Sequence, residues 1–302
     1  MSDERFLVTG ALGCIGAWAA ALLVREGVPV VAYDLGDDDR RLRLVATPEE
    51  VDEITFVRGD VADIERLERA LADHEITNVV HLAALQVPFV KANPPLGARV
   101  NVVGTVDVFE AARHRGLATP IAYASTAAVY DDRGERSPRT LYGVFKVANE
   151  GTASVYWADD GIASIGIRPF VVFGPGRDQG LTSGPTLAME AAAHGESYTI
   201  AFGGRTEMHY APDVARAFIA ATRSEPHGAY AYDFPGSAVH MRDVVAAIET
   251  AAPETRGLIT FDDVPLPFPE ELPGERLAAA TTQLVDAVRQ TIEHFRAAER
   301  RA

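Results

Sequence analysis

The sequence predicts an α/β fold built on a doubly wound parallel sheet, and three observations predict it. Short apolar, β-branched runs alternate with longer stretches of helical periodicity through the first half of the chain. These runs are continuously apolar rather than alternating, as strands buried on both faces are. A glycine triplet, Thr9-Gly10-Ala11-Leu12-Gly13-Cys14-Ile15-Gly16, stands between the first such run and the first helical stretch. Strand, glycine turn and helix in that order open many open-sheet folds.

Strands are expected over residues 6–9, 29–33, 54–57, 78–82, 121–125 and 164–168, each short and rich in Val, Ile or aromatic residues. Between them Asp63 caps a helix whose Ile64, Leu67 and Leu71 share one face. Further helices are expected over about 100–114 and 142–158. After Arg168 glycine and proline become denser, at Gly174-Pro175-Gly176, Gly184-Pro185 and Gly203-Gly204. Helices over 213–222 and 241–250 are set among irregular loops there. The last helix, 284–301, carries Val288, Ile292 and Phe295 on one side and ends in Arg300-Arg301, cations suited to a helix carboxyl end. The division expected is a dinucleotide-binding domain over 1–170 and a smaller, mainly substrate-binding region over 171–302, with some segments returning to the sheet.

The composition narrows the function. The chain has 302 residues, 47% hydrophobic, enough for a large core. Its 43 acidic and 28 basic residues give a formal charge of −15, which disfavours nucleic acid and anionic membrane as partners. A single cysteine, Cys14, excludes an internal disulfide and a multi-thiolate metal site, and no His/Cys/Asp cluster has metal-ligand spacing, so no metal is expected. Neither a signal peptide nor a membrane span is apparent, and a cytoplasmic location is expected.

An acidic chain can still hold a phosphate where glycines let backbone approach it and the N–H groups at a helix start face it. Asp34 ends the second strand 18 residues after Gly16, where a carboxylate would accept from both adenosine ribose hydroxyls and repel a 2′-phosphate, favouring NAD over NADP. The alternative is a glycine turn serving helix packing and an Asp34 that merely starts a polar loop. The charge run from Asp37 to Arg43 reads as solvated loop. Cys14 and Trp18 read as packing residues, and His81 as a structural histidine. Tyr142 and Lys146 fall four apart on one helix face, where a phenol beside an ammonium can serve as a base. Ser125 and Thr126 fall at the carboxyl end of a strand, within reach of the same substrate oxygen.

Taken together, the glycine turn, Asp34, Gly59-Asp60-Val61, His81-Leu82-Ala83-Ala84, Asn101-Val102-Val103-Gly104-Thr105, Ser125-Thr126, Tyr142 with Lys146, Arg168-Pro169 and Asp213-Val214-Ala215 resemble, in that order, the extended short-chain dehydrogenase/reductases. More narrowly, the chain resembles their NAD-dependent epimerase/dehydratase group over nearly its whole length. The resemblance implies a Rossmann sheet, NAD as cofactor, a sugar, nucleotide sugar or sugar acid as substrate, and a homodimer formed through the helices near 100–114 and 142–158. It assigns Gly10, Gly13 and Gly16, with Cys14 and Ile15 between them, to the pyrophosphate and Asp34 to the ribose. Asp60 and Val61 would flank the adenine. Leu82, Ala83 and Ala84 would pass beneath the cofactor, with Asn101, Pro169 and Val172 also cofactor-binding. Thr126, Tyr142 and Lys146 would be the catalytic set, Tyr142 as acid/base and Lys146 on the nicotinamide ribose.

Two departures bear on substrate. The position that nucleotide-sugar enzymes of the group give to Asn is Val171, and the one they give to Arg is Thr206, with Arg205 adjacent. Gln86, Ser125, Thr126, Arg177 and Arg205 are the candidate substrate-binding residues. A sugar epimerase is the first expectation. A dehydrogenase of a small sugar acid or a hydroxy or amino acid is the second, and an NAD-binding regulator without turnover the third. Dehydration is disfavoured, because Ala127-Ala128 stands where dehydratases carry an acid pair.

Overall fold

The computed structural model describes residues 4–225 and 227–299. Among the described residues twelve strands run in chain order as β1 (Phe6–Thr9), β2 (Val30–Asp34), β3 (Thr55–Arg58), β4 (Asn78–His81), β5 (Ile121–Ala124), β6 (Ser164–Arg168), β7 (Val171–Phe173), β8 (Tyr198–Ile200), β9 (Arg205–Tyr210), β10 (Ala229–Asp233), β11 (Ala238–His240) and β12 (Ile259–Phe261). Seven of them form one parallel sheet in the order β10-β6-β5-β4-β1-β2-β3. The α/β doubly wound sheet expected from the sequence is therefore present. The order in which successive strands are added reverses between β1 and β4, and the carboxyl ends of strands at such a switch leave a crevice.

The apolar runs are continuous because both sheet faces are covered. Phe6 and Val8 of β1 enter one core and Leu7 the other; Val30 and Ala32 of β2 are likewise separated from Val31 and Tyr33. On the first face lie the helices Cys14–Arg25 and Ala211–Thr222, through Ala17, Ala20, Val214 and Phe218. On the other lie Ile64–Asp73, Gly104–Arg115 and Leu141–Asp160, through Leu67, Leu71, Phe109 and Ala153. Asp63 caps the first of these, its carboxylate accepting from the Arg66 N–H. The helix expected from residue 100 begins with a π-helical turn, Arg99–Val103, before the α-helix at Gly104.

A second core lies outside the main sheet. β7, β9 and β11 form a three-stranded sheet, and Val171 of β7 packs with Met189, Met241, Ile248, Val288 and Ile292 from the helices Gly184–His194, Met241–Ala251 and Leu284–Glu299. β10 then returns to the main sheet beside β6. The Arg300-Arg301 pair expected to close the last helix lies outside the described residues. No helix among the described residues is long and apolar enough to cross a membrane.

The sheet is tied to its last strand by buried charge. Arg168, ending β6, donates from Nε and Nη2 to Glu150 at 2.7 and 2.9 Å and from Nη1 to Asp233 of β10 at 3.2 Å and to the Tyr130 hydroxyl at 3.1 Å. Asp233 is fully buried and also accepts from the Gly274 N–H.

Candidate active site

A cleft of about 550 Å³ opens over the carboxyl ends of β1, β2, β4, β5 and β6. The glycine turn forms its floor. Gly10 has φ +68, and a Cβ there would stand 2.7–2.8 Å from the Leu82 and Ala83 backbone; one on Gly16 would stand 2.2 Å from the Gly10 carbonyl oxygen. Gly13 precedes the helix without a side chain to cap it, so the N–H groups of its first turn face the cleft side unshielded. This is a cradle shaped for backbone approach to a dinucleotide pyrophosphate, and NAD fits it. Gly16→Ala is expected to weaken NAD binding by tenfold or more, on the order of the 1–3 kcal/mol that overpacking costs. Titration of NAD against the variant checks it.

Asp34 holds this turn to β2: its carboxylate accepts from the Leu12 N–H at 3.0 Å and the Gly36 N–H at 3.1 Å while lining the cleft. Asp60 and Val61 follow β3 on the same wall, Asp60 fixed by the Ala62 N–H at 2.9 Å. Leu82, Ala83 and Ala84 leave β4 across the floor, Leu82 N–H bonding to the Thr9 carbonyl. His81 beneath them is structural. Thr105 gives its proton to the Asn101 carbonyl and so accepts from His81 Nε2, and Thr9 donates to Nδ1. Burial drives this histidine down to about 3, so it stays neutral.

At the far end Thr126 and Tyr142 meet. Thr126 caps the short turn Ala127–Val129 by accepting from the Ala128 N–H, and its hydroxyl hydrogen-bonds with Tyr142. Lys146, one turn further along the helix, donates to the Ala124 carbonyl at 2.7 Å, with its ammonium 5.8 Å from the centre of the Tyr142 ring. Burial raises the phenol above its ordinary range, while the Thr126 hydrogen bond and the Arg177 guanidinium pull it back. The charge acting on the phenol is that of Arg177, not the Lys146 ammonium expected from the sequence. Burial also lowers Lys146 to about 8, with Glu150 holding it up.

Of the expected site residues, Gly10, Gly13, Cys14, Ile15, Gly16, Pro169, Val172, Gln86, Ser125 and Arg177 also line this cleft. Two do not. Asn101 is buried behind the wall, its amide bonding both the N–H and the carbonyl of Leu85 at 3.0 Å, so it holds the 82–86 segment in place instead of facing a ligand. Arg205 donates to the Ala238 carbonyl and pairs with Glu270 at 3.3 Å, away from the cleft. Ser125 reaches the wall with its proton committed to Glu150 at 2.5 Å, which leaves it only as an acceptor.

The charge run read as solvated loop is corrected as well. Its second half is the helix Arg40–Val45, and Asp38 and Arg41 line the cleft. Arg41 and Arg40 both bind Asp178, at 2.8 and 3.1 Å, strapping the segment after β7 across the glycine turn. Trp18, read as packing, also fastens this strap, donating to the Pro175 carbonyl at 2.9 Å. Phe170 and Phe268, in edge-to-face contact at 5.6 Å, close the other end; nothing in the sequence pattern marks Phe268.

Val171 is wholly buried in the second core, and Thr206 is buried in β9 opposite Val239. Neither position offers a polar group to the cleft.

The model of the NAD dependent epimerase/dehydratase family matches residues 6–232. The UDP-glucose 4-epimerase of Mycolicibacterium smegmatis is 31% identical over 229 residues, 72% of this chain and 72% of that one. Among solved structures, the UDP-glucose 4-epimerase of Thermus thermophilus in complex with NAD covers 98% of this chain and all of its own, at 27% identity and a TM-score of 0.72. The L-threonine dehydrogenase of Clostridium difficile, at 20% identity and a TM-score of 0.82 over 97% of each chain, shares the fold. With the glycine cradle, the Asp34 anchor and the Thr126–Tyr142–Lys146 corner in one cleft, the match over residues 6–232 places this chain in the NAD-dependent epimerase/dehydratase family, an enzyme family of the short-chain dehydrogenase/reductase type.

Proposed function

We propose that the protein oxidises a secondary hydroxyl of a sugar-type substrate, with Tyr142 as the acid/base. The observation that carries this reading is the meeting of Tyr142, Thr126 and Lys146 at the end of the cleft that begins at the glycine turn. NAD, when bound, supplies the acceptor for the hydride that leaves the carbinol carbon. Tyr142, once its own proton has passed to solvent, takes the hydroxyl proton as a phenolate, so the C–H pair leaves with the hydride, the O–H pair closes the C=O bond and a carbonyl results. Thr126 would orient the same oxygen, and Lys146 would hold the nicotinamide ribose. Asp34 would hold the adenosine ribose.

Epimerisation, in which the hydride returns to the opposite face, is the first form of this reading, supported by the UDP-glucose 4-epimerase likeness. Net oxidation of a small acid is the second, favoured by Val171 in the core and Arg205 outside the cleft. We propose further that residues 171–302 mainly shape the substrate end. The homodimer is supported by Val103, Val144 and Val155, exposed on the helices expected to form it. Purified protein analysed for retained NAD, then offered nucleotide sugars and free sugar acids, tests the whole. Retained NAD with interconverted sugars means epimerisation, released NADH means net oxidation, and neither with any compound defeats the proposal.

The role given to Lys146 has a pH consequence. Its ammonium is charged at neutral pH and lost as pH rises through about 8. NAD affinity is expected to fall between pH 7 and 9, and titrations across that range measure it.

A further inference from the structure

Among the described residues three cations line the cleft: one is ion-paired, one is bonded to a backbone carbonyl, and one has neither. Arg41 is paired with Asp178 at 2.8 Å, and Lys146 is bonded to the Ala124 carbonyl with Glu150 one turn away. Arg177 forms no ion pair among the described residues. Its Nη2 makes one 3.3 Å bond, to the Thr182 hydroxyl, and its Nε is buried with no partner. A partly buried guanidinium left in this state is costly, and an anion that enters the cleft relieves the cost.

Gly180 brings a second group to the same place. Its φ is +99, and a Cβ there would stand 2.4 Å from Gln86 Oε1 and 3.1 Å from Arg177 Nη2, so both side chains abut one point of the strap. The Gln86 atom at that point is its amide oxygen, an acceptor, and the two N–H groups of the same amide are the donors it has left for a ligand. Arg177 and Tyr142 line the same cleft, and the guanidinium charge is felt at the phenol.

The charge count selects among ligands. A nucleoside diphosphate brings two phosphates against the one guanidinium of the cleft without an ion pair, in a chain of net charge −15. A neutral sugar leaves Arg177 unmatched. A single carboxylate matches it, and Arg with carboxylate is the strong, geometrically specific pair.

We propose that Arg177, with Gln86 beside it, seats the carboxylate of a free sugar acid or hydroxy acid and so presents that acid's hydroxyl to Tyr142. This rests on the hydride-transfer reading above and narrows its substrate. The competing anion is the cofactor's own pyrophosphate, since the Arg177 charge is also felt at Cys14, the first residue of the helix behind the glycine turn.

The test uses the full chain. Reduction of NAD is followed by absorbance at enzyme-level concentrations, with a free hexuronate and an aldonate, their neutral parent sugars, and UDP-glucose. Binding of the acids to the enzyme–NAD complex is followed by calorimetry. The acids are expected to bind and to reduce NAD in preference to the neutral and nucleotide sugars. Arg177→Gln is expected to lower kcat/KM for the acid about tenfold to a hundredfold through KM, with the NAD dissociation constant unchanged. Arg177→Lys, which keeps the charge and so guards against a folding failure in the first variant, is expected to fall between. Preference for a neutral or nucleotide sugar, insensitive to Arg177→Gln, overturns the inference and leaves the hydride reading standing. So does weaker NAD binding in Arg177→Gln at unchanged substrate KM, which assigns the residue to the pyrophosphate. Failure of the acids to bind the NAD complex also overturns it. Failure of the wild-type chain to bind NAD at all defeats the hydride reading itself.

Discussion

Tyr142→Phe is expected to reduce turnover about 10²- to 10⁴-fold, the range that removal of a positioned acid/base covers. The variant keeps the ring and loses only the oxygen, whose protein partner is the Thr126 hydroxyl. Packing around the helix Leu141–Asp160 is therefore retained, and the melting temperature is expected to stay close to that of the parent. NAD binding is expected to persist, because the glycine turn and Asp34 lie at the other end of the cleft. Turnover on any substrate that reduces NAD, measured beside a melting curve and an NAD titration, separates loss of chemistry from loss of fold. Unchanged turnover would exclude Tyr142 as the acid/base. The raised phenol sharpens this expectation: before ligands arrive the proton stays on Tyr142, and Thr126 and Arg177 are the groups working to release it.

The largest stability effect is expected at Arg168→Ala. Arg168 is buried between Glu150 and Asp233, which are themselves buried, and bonds to both. Removing the guanidinium leaves two carboxylates without their shared cation, and breaking one partner out of a buried ion pair costs about 3–5 kcal/mol. Denaturant unfolding of parent and variant measures it. Glu150 pairs with Arg136 as well as Arg168, so its charge is less exposed to the loss than that of Asp233. Adding Asp233→Asn to Arg168→Ala is expected to recover part of the loss, because it removes the carboxylate left most nearly alone. An additive or larger loss in the double variant would exclude charge imbalance as the cause.

The parts of the site that were legible in the sequence are those whose meaning is local. Gly10, Gly13, Gly16 and Asp34 follow one another within a single strand–helix–strand unit, where spacing alone fixes the backbone path. Thr126, Tyr142 and Lys146 sit at a strand end and on one helix face, and both placements follow from periodicity. What was not legible depends on long-range closure. Arg41 and Asp178 are separated by 137 positions, so a charge run reads as solvated until the strap is seen to cross it. Phe268 reaches the cleft from the loop beyond β12. Asn101 shows the converse limit: its position in the chain was recognisable, but the direction of its amide was set by Leu85, sixteen residues earlier. The burial of Val171 was hidden for the same reason, since nothing nearby announces the second core that takes it in.

The return of β10 to the sheet bears on how the chain comes to be assembled. Strand β6 is complete at Arg168, yet the neighbour that covers its outer edge ends at Asp233, after β7, β8, β9 and two helices have been threaded through. A nascent chain emerging from its amino terminus therefore carries an open parallel edge, and an Arg168 lacking Asp233, until those later residues arrive. Pairing over that separation is slow and leaves unpaired strand edges open to other chains. Truncation anywhere between β6 and β10 would fix the chain in that half-assembled state, so residues 1–170 are not expected to persist as an independent folded fragment.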